Sequence, residues 1–339
     1  METAAPNQPD VPARLAALAR AAAHGTGRPC DCAGGLLRVL ADRADGTVVR
    51  HGALVAKAHA PDTDPEGHRA RMALAAHPSV AGIFLPPLQA PLAPPAVRRD
   101  TRDDGSAAEV DGRPVTVWPY GPPVDPEDPD AAPWEEAARL LALLHRTPPP
   151  EALPAPLPAM RAPVKAALAV DRMRGTAPDH PAAATVLRAW RTVPGARFRP
   201  APGDRFLCHG DFHLGQLVRD ARDPVRRPWR LIDVDDAGLG DPAWDLARPA
   251  AWFAAGLLPA DVWSRFLGAY REAGGPAVGA DPWDRLDVPA RALTVQTAAL
   301  ALAKSTAEGR PLDEVEEVMI DTCARIAGNR TDPAPPAST

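Results

Sequence analysis

No stretch of this 339-residue chain approaches the roughly twenty consecutive apolar residues a bilayer-crossing helix needs, because Arg, Asp and Pro interrupt every alanine-rich run. That excludes a helical membrane protein. Cysteine is scarce, with four residues at Cys30, Cys32, Cys208 and Cys323. With no secretory signal ahead of them, they predict a reducing, cytoplasmic compartment and no disulfide framework. The Cys30-Asp31-Cys32 triplet has no second pair and no histidine at ligand spacing, so it does not read as a zinc site. Neither sign of charge dominates: 38 Lys and Arg stand against 43 Asp and Glu, a formal net charge of -5. Such a surface gives no electrostatic reason to expect nucleic acid or an anionic membrane as partner, and suits a cationic substrate weakly. No repeat of fixed period is visible.

Proline is abundant, with 43 residues, but falls in short clusters between periodic segments, where it punctuates loops. Residues 1–10 and 331–339 are polar, Pro-rich and aperiodic, which predicts disordered ends. Apolar spacing over 11–24 predicts a helix. Residues 34–60 alternate short β-prone runs with an Asp45-Gly46 turn and a break at His51-Gly52, predicting two or three antiparallel strands. Asp and Pro opening the 61–76 segment predict a helix start there. The runs GIFLPPL (82–88) and RPVTVWPYG (113–121) read as further strands separated by a charged linker over 98–112.

Beyond 121 the pattern turns helical. Helices are expected over 134–145, 164–174, 181–191, 261–273, 289–307 and 312–327. One non-helical island, 206–247, holds two apolar runs that end in acidic residues, FLCHGD and WRLIDVDD.

Those two runs carry the chemistry. The first delivers His209, Gly210 and Asp211, with His213 and Gln216 following; the second delivers Asp233, with Asp235 and Asp236 behind it. Phosphoryl transfer needs a carboxylate to orient and deprotonate the attacking hydroxyl, oxygen ligands for magnesium, and a cation on the nucleotide phosphates. A candidate for each is present.

The pairing of HGDFHLGQ with LIDVDDAGLGDPAWDLA resembles the aminoglycoside phosphotransferase and choline kinase superfamily. The resemblance implies an α+β, protein-kinase-like bilobal fold: a β-rich nucleotide-binding lobe over 11–119 and a mostly helical catalytic and acceptor lobe over 120–330, with ATP and Mg²⁺ bound between them. By the same resemblance Asp211 is the catalytic base, Asp233 the magnesium ligand, and Lys57 the phosphate-gripping strand lysine with Glu66 as its helix partner. Gly34 and Gly35 would stand in the phosphate-covering hairpin, and main chain near Trp118 and Tyr120 would meet the adenine. Gln216 replaces the family's magnesium-binding Asn, one methylene longer. HGDxHLGQ also resembles the maltokinase branch, whereas GDPAWDLA is closer to the broad aminoglycoside phosphotransferase pattern, which leaves the branch open.

His209 is read as orienting the loop, and His213 as either facing the phosphates or packing. Asp235 and Asp236 could bind metal or substrate. Asp241 and Asp245 read as structural, one capping a helix start and the other tying the segment to the catalytic loop. Trp229, Trp244, Trp252 and Trp263 read as core, and Asp281 and Asp284 as a solvated helix start. The expected activity is transfer of the γ-phosphoryl group of ATP, or of GTP, to a hydroxyl of an aminoglycoside, sugar or related metabolite, by a monomer or homodimer. The alternatives are a catalytically silent nucleotide-binding scaffold and a kinase acting on peptide side chains.

Overall fold

The computed structural model describes residues 10–24, 37–43, 45–88, 98–99, 108–194 and 206–328. Gly34, Gly35, Cys30 and Cys32 lie outside them. The chain divides into two compact units.

The first unit comprises the chain through Val124 together with 152–156 and 217–232. Its centre is an antiparallel sheet in the order β1 (Leu37–Arg43), β2 (Gly46–His51), β3 (Leu54–Ala58), β6 (Arg113–Pro119), β5 (Ala108–Val110), β4 (Arg98–Arg99). Helix α1 (Val11–His24) packs Leu15, Ala16, Leu18 and Ala19 against it. In β2 (Gly46–His51) every second residue is buried, so Val49 joins Ala56 of β3 (Leu54–Ala58) and Val117 of β6 (Arg113–Pro119) under that helix. Burying each Leu or Val there contributes about 1.5 to 3 kcal/mol. The expected Asp45-Gly46 turn joins β1 (Leu37–Arg43) to β2. Helix α2 (Pro65–Ala76) starts as its sequence says, with the Asp64 carboxylate accepting from the Gly67 N–H and Pro65 at its first position.

Two expectations fail in this unit. GIFLPPL is not a strand: it makes a single parallel bridge, Phe84 to Leu231, and then Pro86 and Pro87 deny the N–H groups a ladder needs. The charged segment 98–112 is not merely a linker, since β4 (Arg98–Arg99) and β5 (Ala108–Val110) extend the sheet. Asp111 and Gly112, with φ of +53° and +72°, form the two-residue turn from β5 to β6. That Asp-Gly was a hairpin signal in plain view. The hairpin of β8 (Leu217–Arg219) and β9 (Trp229–Leu231) belongs to this unit through Pro123 and Phe84.

The second unit is mostly helical. It contains α3 (Trp134–Arg146), α4 (Ala162–Thr176), α5 (Ala183–Arg191), α6 (Ala247–Ala255), α7 (Ala260–Glu272), α8 (Trp283–Glu308) and α9 (Glu314–Gly328). Helix α8 is central, and Val295, Ala298, Ala299 and Leu302 share a core with Val170 and Met173 of α4 and Met319 of α9. It begins two turns before the expected Pro289 start: the Asp281 carboxylate accepts from the Trp283 N–H, and Pro289 is carried inside the helix at the loss of one backbone bond. Helix α6 was not foreseen; it closes on Gly256 at φ +82°. A two-stranded ribbon of β7 (Phe206–Cys208) and β10 (Gly238–Gly240) leads into the HGDFHLGQ sequence.

Candidate functional site

Asp211 follows β7 after two residues whose backbone is tied down from below. The Asp245 carboxylate accepts from the His209 N–H at 2.7 Å and the Gly210 N–H at 2.8 Å. Asp245 also lies 2.9 Å from His145 Nε2, and His145 Nδ1 lies 2.7 Å from the Tyr270 hydroxyl, which accepts from the Ala277 N–H at 3.0 Å. Asp245, His145 and Tyr270 are all buried. The chain is fully satisfied when a neutral His145 donates through Nε2 and accepts through Nδ1. Burial is the largest influence and would raise the Asp245 carboxyl, but His145, His209 and the Gly210 N–H together hold it below the ordinary value. Asp245 therefore does what its spacing predicted, and Asp241 caps the turn at Ala243 as expected.

Gly210 could not be another residue. Its φ is +81°, and a Cβ there would stand 2.1 Å from the Asp236 carbonyl oxygen. The loop and the segment behind Asp233 are thus pressed together at this point.

The Asp211 carboxylate is held from two sides. Lys165 of α4 donates to Oδ2 at 2.7 Å, and Arg248 of α6 donates to Oδ1 at 2.8 Å. Lys165 also donates to Asp236 Oδ2 at 2.6 Å, and Arg161 stands 3.6 Å from Asp236 Oδ1. Burial pushes the Asp211 carboxyl up, but Lys165 and then Arg248 overcome it and hold Asp211 well below the usual carboxylate range. Asp236 is raised, because there burial outweighs Lys165. Burial also works against the Lys165 ammonium, yet Asp236 and Asp211 leave its pKa raised. Asp236, a candidate for metal or substrate, is thus turned into this network.

A small recess beside Asp211 is lined by Ala162, Lys165, Phe212, Arg248, Leu293 and Gln296. A separate recess of about 400 Å³ between α6, α8 and α9 contains none of the candidate residues.

Gln216 and Asp233 come together, with Gln216 Nε2 3.4 Å from Asp233 Oδ2. Asp233 adopts a left-handed backbone, φ +62°, a strained choice for a non-glycine residue of the kind found at functional sites. Asp235 lies in the short turn that follows, Val234–Asp236. His213 accepts from the Gly215 N–H at 3.1 Å, and burial, with Arg248 next, lowers its pKa to about 4. His209 is fully buried, its Nδ1 3.4 Å from the Asp211 amide, which suits a loop-orienting role.

In the sheet unit, Lys57 is partly buried on β3 opposite Thr116 of β6. Glu66 is exposed in the first turn of α2, whose buried side carries His68 and Arg71. Trp118 is buried, with its indole N–H donating to Thr116. The Tyr120 N–H is already given to the Ala53 carbonyl at 2.7 Å, and the ring lies under the Arg50 guanidinium. Of the main chain near Trp118 and Tyr120, that donor is thus already in use.

Lys165 and Gln296 went unnoticed in the sequence because each sits in an alanine-rich helix far from the motifs, and Arg248 because it stands one residue past the end of GDPAWDLA. One signal existed for the first: the chain has only three lysines, Lys57, Lys165 and Lys304.

The model of a phosphotransferase enzyme family matches residues 37–288. Among solved structures, the amicoumacin kinase hAmiN in complex with AMP-PNP, Ca²⁺ and Ami aligns with TM-score 0.61 at 15% identity, covering 87% of this chain and 89% of that one. A thermostable aminoglycoside phosphotransferase APH(4)-Ia mutant, in ternary complex with AMP-PNP and hygromycin B, aligns with TM-score 0.56 at 13% identity over 93% of this chain and 100% of that one. A choline/ethanolamine kinase family protein from Mesorhizobium loti aligns with TM-score 0.51 at 19% identity over 93% and 92%. None of the curated proteins matches the chain. The fold is α+β and protein-kinase-like.

Proposed function

The chain belongs to the phosphotransferase enzyme family, and from that premise we propose that it moves the γ-phosphoryl group of ATP to a hydroxyl of a small molecule aligned by Asp211. The observation that carries this is the Asp211 carboxylate, fixed by Lys165 and Arg248 at the end of a loop that Asp245 anchors.

A carboxylate so strongly held in its ionised form is a weak base toward a free alcohol. Its first task is to accept a hydrogen bond from the hydroxyl and point the oxygen at phosphorus. In a loose transition state the hydroxyl becomes acidic only as its bond to phosphorus forms, so the proton passes to Asp211 late. Lys165 and Arg248 keep both carboxylate oxygens from rotating away meanwhile.

The Asp233 carboxylate offers hard oxygen donors, and the Gln216 amide, whose Nε2 now donates to Asp233 Oδ2 at 3.4 Å, would offer its oxygen to a metal once turned over. They fit Mg²⁺, which when bound supplies neutralisation of phosphate charge. For the nucleotide, Lys57 is the proposed phosphate partner. With the Tyr120 amide committed to Ala53 and Pro119 lacking an N–H, the adenine contacts fall to the Pro119 carbonyl and the Gly121 N–H, neither of which has a backbone partner outside the strand ladders among the described residues.

A coupled ADP-release assay with MgATP across sugars, aminoglycosides and choline tests the reading, with Asp211→Ala as the blank. Acceptor-dependent ADP release that vanishes in the variant supports it. Normal MgATP binding with no transfer to any acceptor would instead favour a silent nucleotide-binding scaffold.

A further inference from the structure

The recess beside Asp211 carries a surplus of positive charge. Lys165 and Arg248 line it beside Asp211, two cations against one carboxylate. Asp211 is the only carboxylate among the described residues lining the recess, and both of its oxygens already accept from a cation. The overall charge of -5, which weakly suits a cationic substrate, is therefore reversed where the acceptor would enter.

Two buried polar atoms belong to residues lining the same recess. Gln296, 5% exposed, has no hydrogen-bond partner for Oε1, and Arg248 has none for Nε–H, among the described residues. One is an acceptor and the other a donor, and leaving either buried and unmatched is costly. An ammonium donates to Gln296 Oε1 but cannot accept from Arg248; a carboxylate accepts from Arg248 but cannot donate to Gln296 Oε1; a hydroxyl does both.

Resting on the phosphotransferase reading above, we propose that this subsite takes a polyhydroxylated acceptor without amine cations, and that Gln296 with Arg248 recognises a second hydroxyl next to the one Asp211 aligns. Gln296 is then a specificity residue, reading the acceptor rather than touching the transferred group.

Matched skeletons isolate the charge: glucose against glucosamine, with maltose and glucuronate added on one side and kanamycin on the other, each with full-length protein and MgATP. ADP release and ³¹P NMR of the product are the readouts, and MgATP binding is measured calorimetrically in parallel. The expected result is transfer to at least one amine-free compound, with kcat/KM at least tenfold above its amine counterpart. Gln296→Leu should raise the KM for that acceptor about tenfold, with kcat and the KM for MgATP within twofold, and Gln296→Glu, which keeps an acceptor oxygen, should recover most of the loss. Preference for glucosamine or kanamycin, an unchanged acceptor KM in Gln296→Leu, or silence toward every amine-free compound by protein that binds MgATP would overturn the inference and leave the phosphotransferase reading intact. Failure to bind MgATP at all would bring down that reading, and this one with it.

Discussion

The Lys165 ammonium stands 2.7 Å from Oδ2 of Asp211, tying the first turn of α4 to the loop that follows β7. Because the same ammonium bridges to Asp236, its removal releases two carboxylates at once. Lys165→Met is expected to lower kcat about a hundredfold, the scale on which misplacing a catalytic group acts. Without Lys165 the Asp211 carboxyl moves back up toward its ordinary range, so the acid limb of the pH-rate profile should appear at higher pH in the variant. A profile that keeps its acid limb where the wild type has it contradicts this account of Asp211.

His213 makes stability depend on pH. Its folded pKa is lowered to about 4 from the ordinary histidine value of 6.5, so between those values the unfolded chain binds a proton that the folded chain does not. Stability is therefore full above pH 6.5 and falls as pH drops toward 4, by up to about 3 kcal/mol from this residue. Urea unfolding at pH 7 and pH 4.5 should show a smaller loss in His213→Asn than in the wild type. Equal losses would remove His213 as the cause.

The Tyr270, His145 and Asp245 relay makes a different kind of demand. Tyr270→Phe leaves the Ala277 N–H and His145 Nδ1 without the hydroxyl that serves both, in a fully buried place. Unmatched buried groups cost about 1 to 3 kcal/mol each, so a fall in unfolding free energy of about 2 kcal/mol or more is expected by denaturant titration. A change below about 0.5 kcal/mol would mean the relay does not hold the loop.

Gly210→Ala tests the close approach behind the loop. A methyl group there meets the Asp236 carbonyl and the residue keeps a positive φ, so both stability and turnover should fall together. Thermal unfolding and ADP release measured on one preparation check it, and a variant with wild-type melting and turnover would refute the packing described here.

How much of this was written in the sequence depends on range. The Asp211 and Asp233 runs were legible because their chemistry is local: a few polar residues at the end of an apolar strand. Asp245 could be read in the same way, from its place in GDPAWDLA. Lys165, Arg248 and Gln296 could not, since α4, α6 and α8 bring them to Asp211 from 37 to 85 residues away, as 248 and 296 are from 211, and nothing in an alanine-rich helix says which polar residue points inward. The strand misread over 82–88 shows the opposite failure, a β-prone composition overruled by two prolines that remove the ladder donors. Which main-chain groups near Trp118 and Tyr120 are open could not be read for a third reason: the pairing of β6 with β3, which only the fold reveals, decides it.

The most direct test of the central claim is a paired measurement on Asp211→Asn and Asp233→Ala: MgATP affinity by calorimetry alongside turnover with the best acceptor. Asp211→Asn is expected to bind MgATP as the wild type does while turnover drops at least a thousandfold, and Asp233→Ala to lose magnesium-dependent nucleotide affinity itself. Wild-type turnover in Asp211→Asn would contradict it outright.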